Sequence, residues 1–310
     1  MSNKRNLAIV IPAYKSTFLP AALDSIAAQT CQDFTLYIGD DCSPNNIGEI
    51  VDRYRDKINL VYKRFETNLG GKDLVAQWER CIDMTQDEEW LWPFSDDDVM
   101  EAKCVEEFYK TIKENPQAGL VHFNILGLYG NAEKEKTFPL FPGYVNAKEY
   151  LDNKLKGNFV SFVVEFIIRK DIFYESGRFE KSDLAWGSDF VSWIKFASMA
   201  NGIYTCATAR VKWRSSGENV STDYRNEIVV RKIKAFLEFT FWIYKYSRKH
   251  KYGHPFFYSK GIFGEIVKCR RFLKMWQVLY LNILAMKKFG IDMVLILVDS
   301  LSYIFYKNKI

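Results

Sequence analysis

Short continuous apolar runs alternate with apolar residues at helical spacing through the first hundred positions. Leu7-Ala8-Ile9-Val10-Ile11 predicts a buried strand, and Phe18 to Gln29, with Leu19, Ala22, Leu23 and Ile26 on one face, predicts an amphipathic helix. The rhythm continues with a strand at Phe34 to Ile38, a helix near Ile47 to Tyr54, a strand at Leu60 to Phe65, a helix at Lys72 to Met84 and a strand at Trp90 to Phe94. Such βαβα order predicts a parallel sheet covered by helices on both faces. From Lys103 to Trp213 the pattern is mixed. It suggests a helix at Val105 to Lys113, a strand at Gly119 to Leu126, a loop rich in Pro and Phe, a strand at Phe162 to Ile168, a helix from Ser188 and a strand at Gly202 to Lys212. From Asp223 onward the pattern is helical, with breaks at Gly253-His254-Pro255 and near Gly290.

In a sheet of this kind ligands bind beyond the carboxyl ends of the strands. Asp40-Asp41 close the second predicted strand and Asp96-Asp97-Asp98 close the fourth, so two carboxylate clusters distant in sequence share one rim. A chain of 310 residues that is 48% hydrophobic buries at least one full core, which excludes disorder. Its net charge of +5 suits contact with phosphates or an anionic surface and falls short of a nucleic-acid-binding composition. The six cysteines have no C-x-x-C spacing and read as free, mostly buried thiols. The apolar run near the N-terminus is too short for a signal-peptide core, so a reducing cytoplasm is the simplest expected compartment. His122 lies inside an apolar run and reads as a core residue.

Val10-Ile11-Pro12-Ala13-Tyr14, Leu23-Asp24-Ser25-Ile26 followed by Gln29-Thr30, Asp40-Asp41-Cys42-Ser43, Asn68-Leu69-Gly70 and Ser95-Asp96-Asp97-Asp98 succeed one another in order. Together they resemble the family-two inverting nucleotide-sugar glycosyltransferases of GT-A fold. The likeness is specific over residues 7–100 and weaker to about 222, where Trp186-Gly187-Ser188-Asp189 and Trp213-Arg214 resemble the acceptor-side motifs. It implies a catalytic domain over 1–222, with a nucleotide-sugar half at 1–100 and an acceptor-side half at 101–222, followed by a helical extension at 223–310.

The resemblance further implies a divalent metal, Mn or Mg, that bridges the donor pyrophosphate to Asp97 and Asp98. The family's usual carboxylate at position 95 is a serine here. That leaves open which of Asp97 and Asp98 ligates directly, and whether Asp96 holds the ribose. Pro12, Ala13 and Tyr14 would lie beside base and ribose. Asp41, supported by Asp40, would accept a hydrogen bond from the base, Asn68 would approach the donor, and Arg214 would contact the diphosphate or an acidic neighbour. Asp189, where the family usually has a Glu-Asp pair, would be the general base.

Each motif has a plainer reading beside the functional one. Three adjacent aspartates also suit an exposed turn, Asp-Asp-Cys-Ser-Pro-Asn suits a turn, Asn68-Leu69-Gly70-Gly71 suits a β-to-α connection, and Ser188-Asp189 suits a helix start. The implied partners are a nucleotide-sugar donor, with UDP expected first, and a glycan or lipid-linked acceptor in cell-surface polysaccharide assembly. A homo-oligomer remains open and no nucleic acid is expected. A catalytically silent nucleotide-sugar-binding module and a sugar nucleotidyltransferase are the alternatives. The latter is disfavoured because Pro12-Ala13-Tyr14-Lys15-Ser16 stands where a glycine-rich basic loop belongs.

In the tail, Asp292 and Asp299 interrupt the apolar stretch Phe289 to Tyr306, and a charge at the centre of a spanning helix costs about 3 kcal/mol. Basic residues such as Lys268, Arg270, Arg271 and Lys274 accompany Phe272, Trp276 and Tyr280. That composition predicts helices from about Phe256 to Ile310 resting on the inner face of the cytoplasmic membrane, or else packed on the core or a second subunit.

Overall fold

The computed structural model describes residues 6–130, 133–217, 219–252, 264–266 and 268–289. Contacts divide the chain into two compact units, Met1–Glu180 with Ser192–Gly217, and Lys181–Val191 with Glu218–Ile310.

The first unit is built on one ten-stranded sheet. Strands β1 (Leu7–Ala13), β2 (Phe34–Asp40), β3 (Leu60–Arg64) and β4 (Trp90–Pro93) alternate with helices α1 (Leu19–Ala27), α2 (Ile47–Asp52) and α3 (Leu74–Ile82). Next come β5 (Val99–Met100), α4 (Cys104–Glu114), β6 (Leu120–Tyr129), β7 (Lys134–Thr137), β8 (Tyr144–Val145), α5 (Ala147–Lys156), β9 (Phe166–Arg169) and α6 (Lys170–Glu175). Helix α7 (Ser188–Met199) and strand β10 (Ile203–Ser215) complete the described elements up to Gly217.

The strand order is β3-β2-β1-β4-β9-β6-β10-β5, with β7 on β6 and β8 on β10. The parallel expectation holds for β3-β2-β1-β4. Beyond β4 the sheet is mixed: β9 runs antiparallel to both β4 and β6, while β10 is parallel to β6. Leu7, Ile9, Ile11 and Ala13 of β1 enter one core with α1, α2 and α4, and the alternate Ala8 and Val10 are buried as well. Burial of both parities is what a strand covered on two sides requires, and it explains why these strands read as unbroken apolar runs.

Several local choices set the elements. Asp73 caps α3 by accepting a hydrogen bond from the Ala76 amide. Gly39 has no Cβ because one there would overlap Cys81 Sγ of α3, so β2 and α3 approach at the very point where the Asp40-Asp41 turn begins. The loop rich in Pro and Phe contains β7, β8 and α5, the last with an Asn146–Glu149 capping box and a left-handed Gly157. The expected strand from Phe162 begins only at Phe166, because the Phe162 amide donates to Glu165 Oε1 and its ring stacks on Trp213. All six cysteines are free, three of them buried.

His122 is fully buried on β6, stacked on Phe141 at 4.0 Å, with no hydrogen-bond partner on Nε2. Burial pushes its pKa down to about 3. The native state therefore stays unprotonated while an unfolded histidine takes a proton near pH 6.5, so the unfolded state binds more protons between those values. Stability falls as pH drops through that window, by up to about 1.4 kcal/mol per pH unit. Urea unfolding at pH 4.5 and 7.0 is expected to show a smaller loss on acidification in His122→Phe than in the wild type. Equal losses would mean that His122 is not a source of acid sensitivity.

In the second unit, α8 (Asn226–His250) and α9 (Met275–Phe289) enclose a small core of Val229, Ile233, Leu237, Ile266, Leu281 and Ala285. Asn226 and Gln277 exchange side-chain hydrogen bonds at 2.8 and 2.9 Å and pin the two helices. Asp183 forms a two-armed ion pair with Arg231, holding the turn in which Leu184 and Ala185 take positive φ. Gly187 comes next at φ 79, and a Cβ there would overlap the ring of Phe239. The expected breaks at Gly253-His254-Pro255 and Gly290, and the tail beyond Phe289, lie outside the described residues. No described helix is long and apolar enough to cross a membrane.

Candidate active site

The acid triplet follows β4 directly, beside the chain that leaves β1, because β1 and β4 are hydrogen-bonded neighbours. All three aspartates are buried. The amides of Tyr14 and Lys15 donate to Asp96 Oδ2 at 2.8 and 2.7 Å, so the carboxylate of one strand end is fixed by the backbone of the other. Ser95 Oγ lies 2.7 Å from both Asp97 Oδ1 and Asp98 Oδ2, and the Arg214 amide donates to Asp98 Oδ1 at 2.6 Å. Asp97 Oδ2 faces the ammonium of Lys15 at 2.5 Å, and that ammonium is 3.6 Å from Asp96 Oδ1.

Crowding of carboxylates away from water raises their proton affinity. Burial first, then the Asp97 charge, push Asp98 well above the ordinary carboxylate range. Asp96 is pushed up to about 6, with burial again the main cause and Lys15 opposing it. Burial disfavours the charge on Lys15, but Asp96 and Asp97 outweigh that and hold its ammonium above the ordinary lysine value.

Arg214, on β10, is nearly inaccessible. Its Nε donates to the Asp97 carbonyl at 2.7 Å, an Nη meets Glu133 Oε1 at 2.5 Å, and its guanidinium lies over Phe18 at 4.3 Å. Its guanidinium thus braces the triplet from within the protein.

Asp40 and Asp41 close β2 and are buried. Asp40 accepts from the Ser43 amide, Tyr62 and Arg64. Asp41 accepts from the amides of Leu69 and Gly70 at 2.7 and 2.8 Å and from Arg80 at 2.6 Å. Asn68 supports the same loop: its Oδ1 accepts from the Gly71 amide and its Nδ2 donates to the Asp41 carbonyl. Arg80 also stacks on Phe65, at 3.7 Å. Pro12 is half-buried, Ala13 buried and Tyr14 exposed at the end of β1, and Ser43 Oγ donates to the Tyr14 carbonyl at 2.6 Å. The structure thus brings Pro12, Ala13, Tyr14, Asp40, Asp41, Asn68, Asp96, Asp97, Asp98 and Arg214 into the first unit, whereas Asp189 belongs to the second, in the first turn of α7.

Residues 8–177, more than half of the chain, match the model of glycosyl transferase family 2. The chain belongs to that family. An uncharacterized glycosyltransferase of Haemophilus influenzae is 28% identical over 117 residues, 37% of each chain. The poly(ribitol-phosphate) beta-N-acetylglucosaminyltransferase TarS of Staphylococcus aureus is 36% identical over 66 residues, 20% of this chain and 12% of that one. The chain thus spans well under two thirds of these relatives. A TarS structure in complex with UDP-GlcNAc superposes with a TM-score of 0.56 at 19% identity, over 75% of this chain and 66% of that one. GalNAc-T7 with UDP, GalNAc and Mn2+ gives 0.53 at 13% identity, over 76% and 48%. The sheet is accordingly of the expected GT-A type, with helices following it.

Among the described residues no group of three or more His, Cys, Asp or Glu side chains is placed to hold a metal ion by itself. The divalent ion that the resemblance implies would instead have to be held by the triplet together with groups from outside the protein. Hard cations of the magnesium kind take one or two carboxylates and leave their remaining positions to substrate phosphates and water. Here Asp97 Oδ2 and Asp96 Oδ1 face a side-chain ammonium, while both oxygens of Asp98 are engaged by Ser95 and a backbone amide. The oxygen donor set and the crowded negative charge suit such an ion. Sequence reasoning missed Lys15, Arg80 and the bridging role of Ser95. Neither a single lysine after β1 nor a single arginine in the last turn of α3 carries a periodic signal of its own, and only the departure from the family pattern at Ser95 pointed toward its role.

Proposed function

We propose that this chain is a metal-dependent inverting glycosyltransferase that moves a sugar from a UDP-sugar to a hydroxyl of a glycan or lipid-linked acceptor in cell-surface polysaccharide assembly. The observation that carries the reading is the buried triplet Asp96-Asp97-Asp98, tied to the exit of β1 in a chain of glycosyl transferase family 2. TarS with UDP-GlcNAc and GalNAc-T7 with UDP and Mn2+, which share the fold, support the choice of donor and metal.

In this reading Asp97 and Asp98 hold the metal side of the site and Asp96 sets the position of the β1 exit. Pro12, Ala13 and Tyr14 form the wall for base and ribose. Asp40, Asp41, Asn68 and Arg214 act as positioning residues, since their polar atoms hold the neighbouring loops. A bound divalent ion would supply positive charge against the departing diphosphate. Asp189 accepts the proton of the acceptor hydroxyl as its oxygen bonds to the anomeric carbon and the bond from that carbon to the UDP oxygen breaks. Lys15 is the counter-ion of Asp97.

The test is a panel of sugar nucleotides, screened with Mn2+ by thermal shift, then by UDP release and by NMR of the product. A UDP-sugar is expected to raise the melting temperature by mass action and to yield a product of inverted anomeric configuration. A retained configuration removes Asp189 as base. Pyrophosphate release from a nucleoside triphosphate and a sugar phosphate would make the protein a nucleotidyltransferase. Donor binding with no turnover toward water or any acceptor would make it a silent binding module.

A further inference from the structure

Helix α9 divides its side chains between two environments. Gln277, Leu281 and Ala285, one turn apart, are buried, the two apolar ones in the core shared with α8. On the other side Trp276, Leu279, Tyr280 and Ile283 fall at i, i+3, i+4 and i+7, which is one helical stripe. Trp276 is 64% exposed and Leu279 63%, with Tyr280 and Ile283 above 40%. A contiguous stripe of large apolar side chains in water marks an interaction surface, whereas scattered ones do not.

The charge around the stripe selects the partner. Between positions 268 and 289 the chain carries Lys268, Arg270, Arg271, Lys274, Lys287 and Lys288 and no acidic residue; Lys268 and Lys288 pair with Glu265 and Glu238, so Arg270, Arg271, Lys274 and Lys287 carry the argument. Lys287 continues the exposed stripe one turn beyond Ile283 and is itself exposed. Lys234 of α8 reaches over the ring of Tyr280 at 5.1 Å. Apolar and aromatic side chains on one face, flanked by long cationic ones, match the headgroup region of an anionic bilayer, where rings sit at the boundary and ammonium groups meet lipid phosphates. A second copy of the chain fits poorly. Four side chains cover far less than the roughly 800 Å² per partner of a stable interface, and pairing like faces would set basic residues against basic residues.

We propose that the Trp276, Leu279, Tyr280 and Ile283 face of α9, with its basic surround, docks on an anionic lipid bilayer. The helix lies along the surface, since it packs on α8 along its other side and no described helix spans a membrane. Attraction of the basic residues to anionic headgroups brings the face down, and insertion of the stripe holds it there.

Sedimentation of the full-length protein with vesicles tests this, comparing phosphatidylglycerol mixed into phosphatidylcholine with phosphatidylcholine alone. Binding is expected on the anionic vesicles at low ionic strength and is expected to weaken at about 0.5 M salt, where the screening length falls to a few ångströms. Leu279→Glu with Ile283→Glu is expected to lower the bound fraction about tenfold or more, and Lys274→Glu with Lys287→Glu to abolish the preference for anionic lipid. Should the glutamate pair unfold the unit, brominated lipid provides the second reading: quenching of the tryptophan signal should be larger in wild type than in Trp276→Phe. The proposal is overturned if the protein ignores anionic vesicles at low salt, or if the glutamate pair folds and binds unchanged. It is equally overturned if quenching does not differ between wild type and Trp276→Phe, or if the face proves to be covered by a second copy, seen as a dimer that Leu279→Glu dissociates.

Discussion

Asp97→Asn is expected to lower the rate of glycosyl transfer by about 10³-fold while leaving the melting temperature of the ligand-free protein nearly unchanged. A factor of that size corresponds to about 4 kcal/mol of transition-state stabilisation, the scale on which fixed charge acts on a departing anion. Asparagine keeps the shape of the side chain and can still meet Ser95 Oγ. What it loses is the charge on the oxygen that faces the Lys15 ammonium at 2.5 Å. Asp98 is a less direct probe, because its oxygens also hold the Arg214 amide and Ser95 Oγ, so replacing it disturbs the link between β4 and β10. Initial rates over a range of Mn2+ concentrations, with melting curves run alongside, separate the two effects. A rate within tenfold of wild type would remove Asp97 from the catalytic machinery, and a large drop in melting temperature would mark it as a structural residue.

The second large effect is expected at Asp189. Its replacement by asparagine should reduce transfer by about 10²- to 10⁴-fold, the usual range for a lost general base, with the affinity for UDP unchanged. Asp189 lies in the first turn of α7, where a carboxylate also favours the helix by a few tenths of a kcal/mol to about 1 kcal/mol. A residue that served the helix alone would change stability by that small amount and leave kcat intact. Steady-state kinetics against UDP titration by calorimetry distinguishes the roles: a fall in kcat at constant UDP affinity supports the base. An unchanged kcat assigns Asp189 to the helix start.

The βαβα half of the fold was legible because β1, β2 and β4 are buried on both faces, which writes their sequences as continuous apolar runs. The second half was harder for identifiable reasons. The strand expected at Gly202 to Lys212 runs on to Ser215, and its register against β6 shifts between Cys206 and Arg210. The three intervening residues reverse the parity of the rest of the strand, so no reading of period two carries through to Trp213 and Arg214. Helix α5 buries only Ala147, Tyr150 and Leu151 and has too short an apolar stripe to stand out beside the prolines and aromatics before it. At the site, the triplet and the Asp40-Asp41 turn were visible as residue types at strand ends. Their engagement was not. That Asp41 turns to the amides of Leu69 and Gly70, or that Asp96 takes those of Tyr14 and Lys15, depends on which loops the sheet order sets side by side.

The two ways in which Lys15 meets the triplet have a consequence for how the site fills. Its backbone amide holds Asp96, while its ammonium, at the end of a four-carbon stem, answers Asp97. The first contact belongs to the main chain and the second to a side chain able to change rotamer without it. A divalent ion held by the triplet, as proposed above, would take the place of a charge at the end of a flexible four-carbon stem, while the backbone contact that fixes the loop could stay as it is. The rim is preorganised in its backbone and adjustable at a single tethered charge.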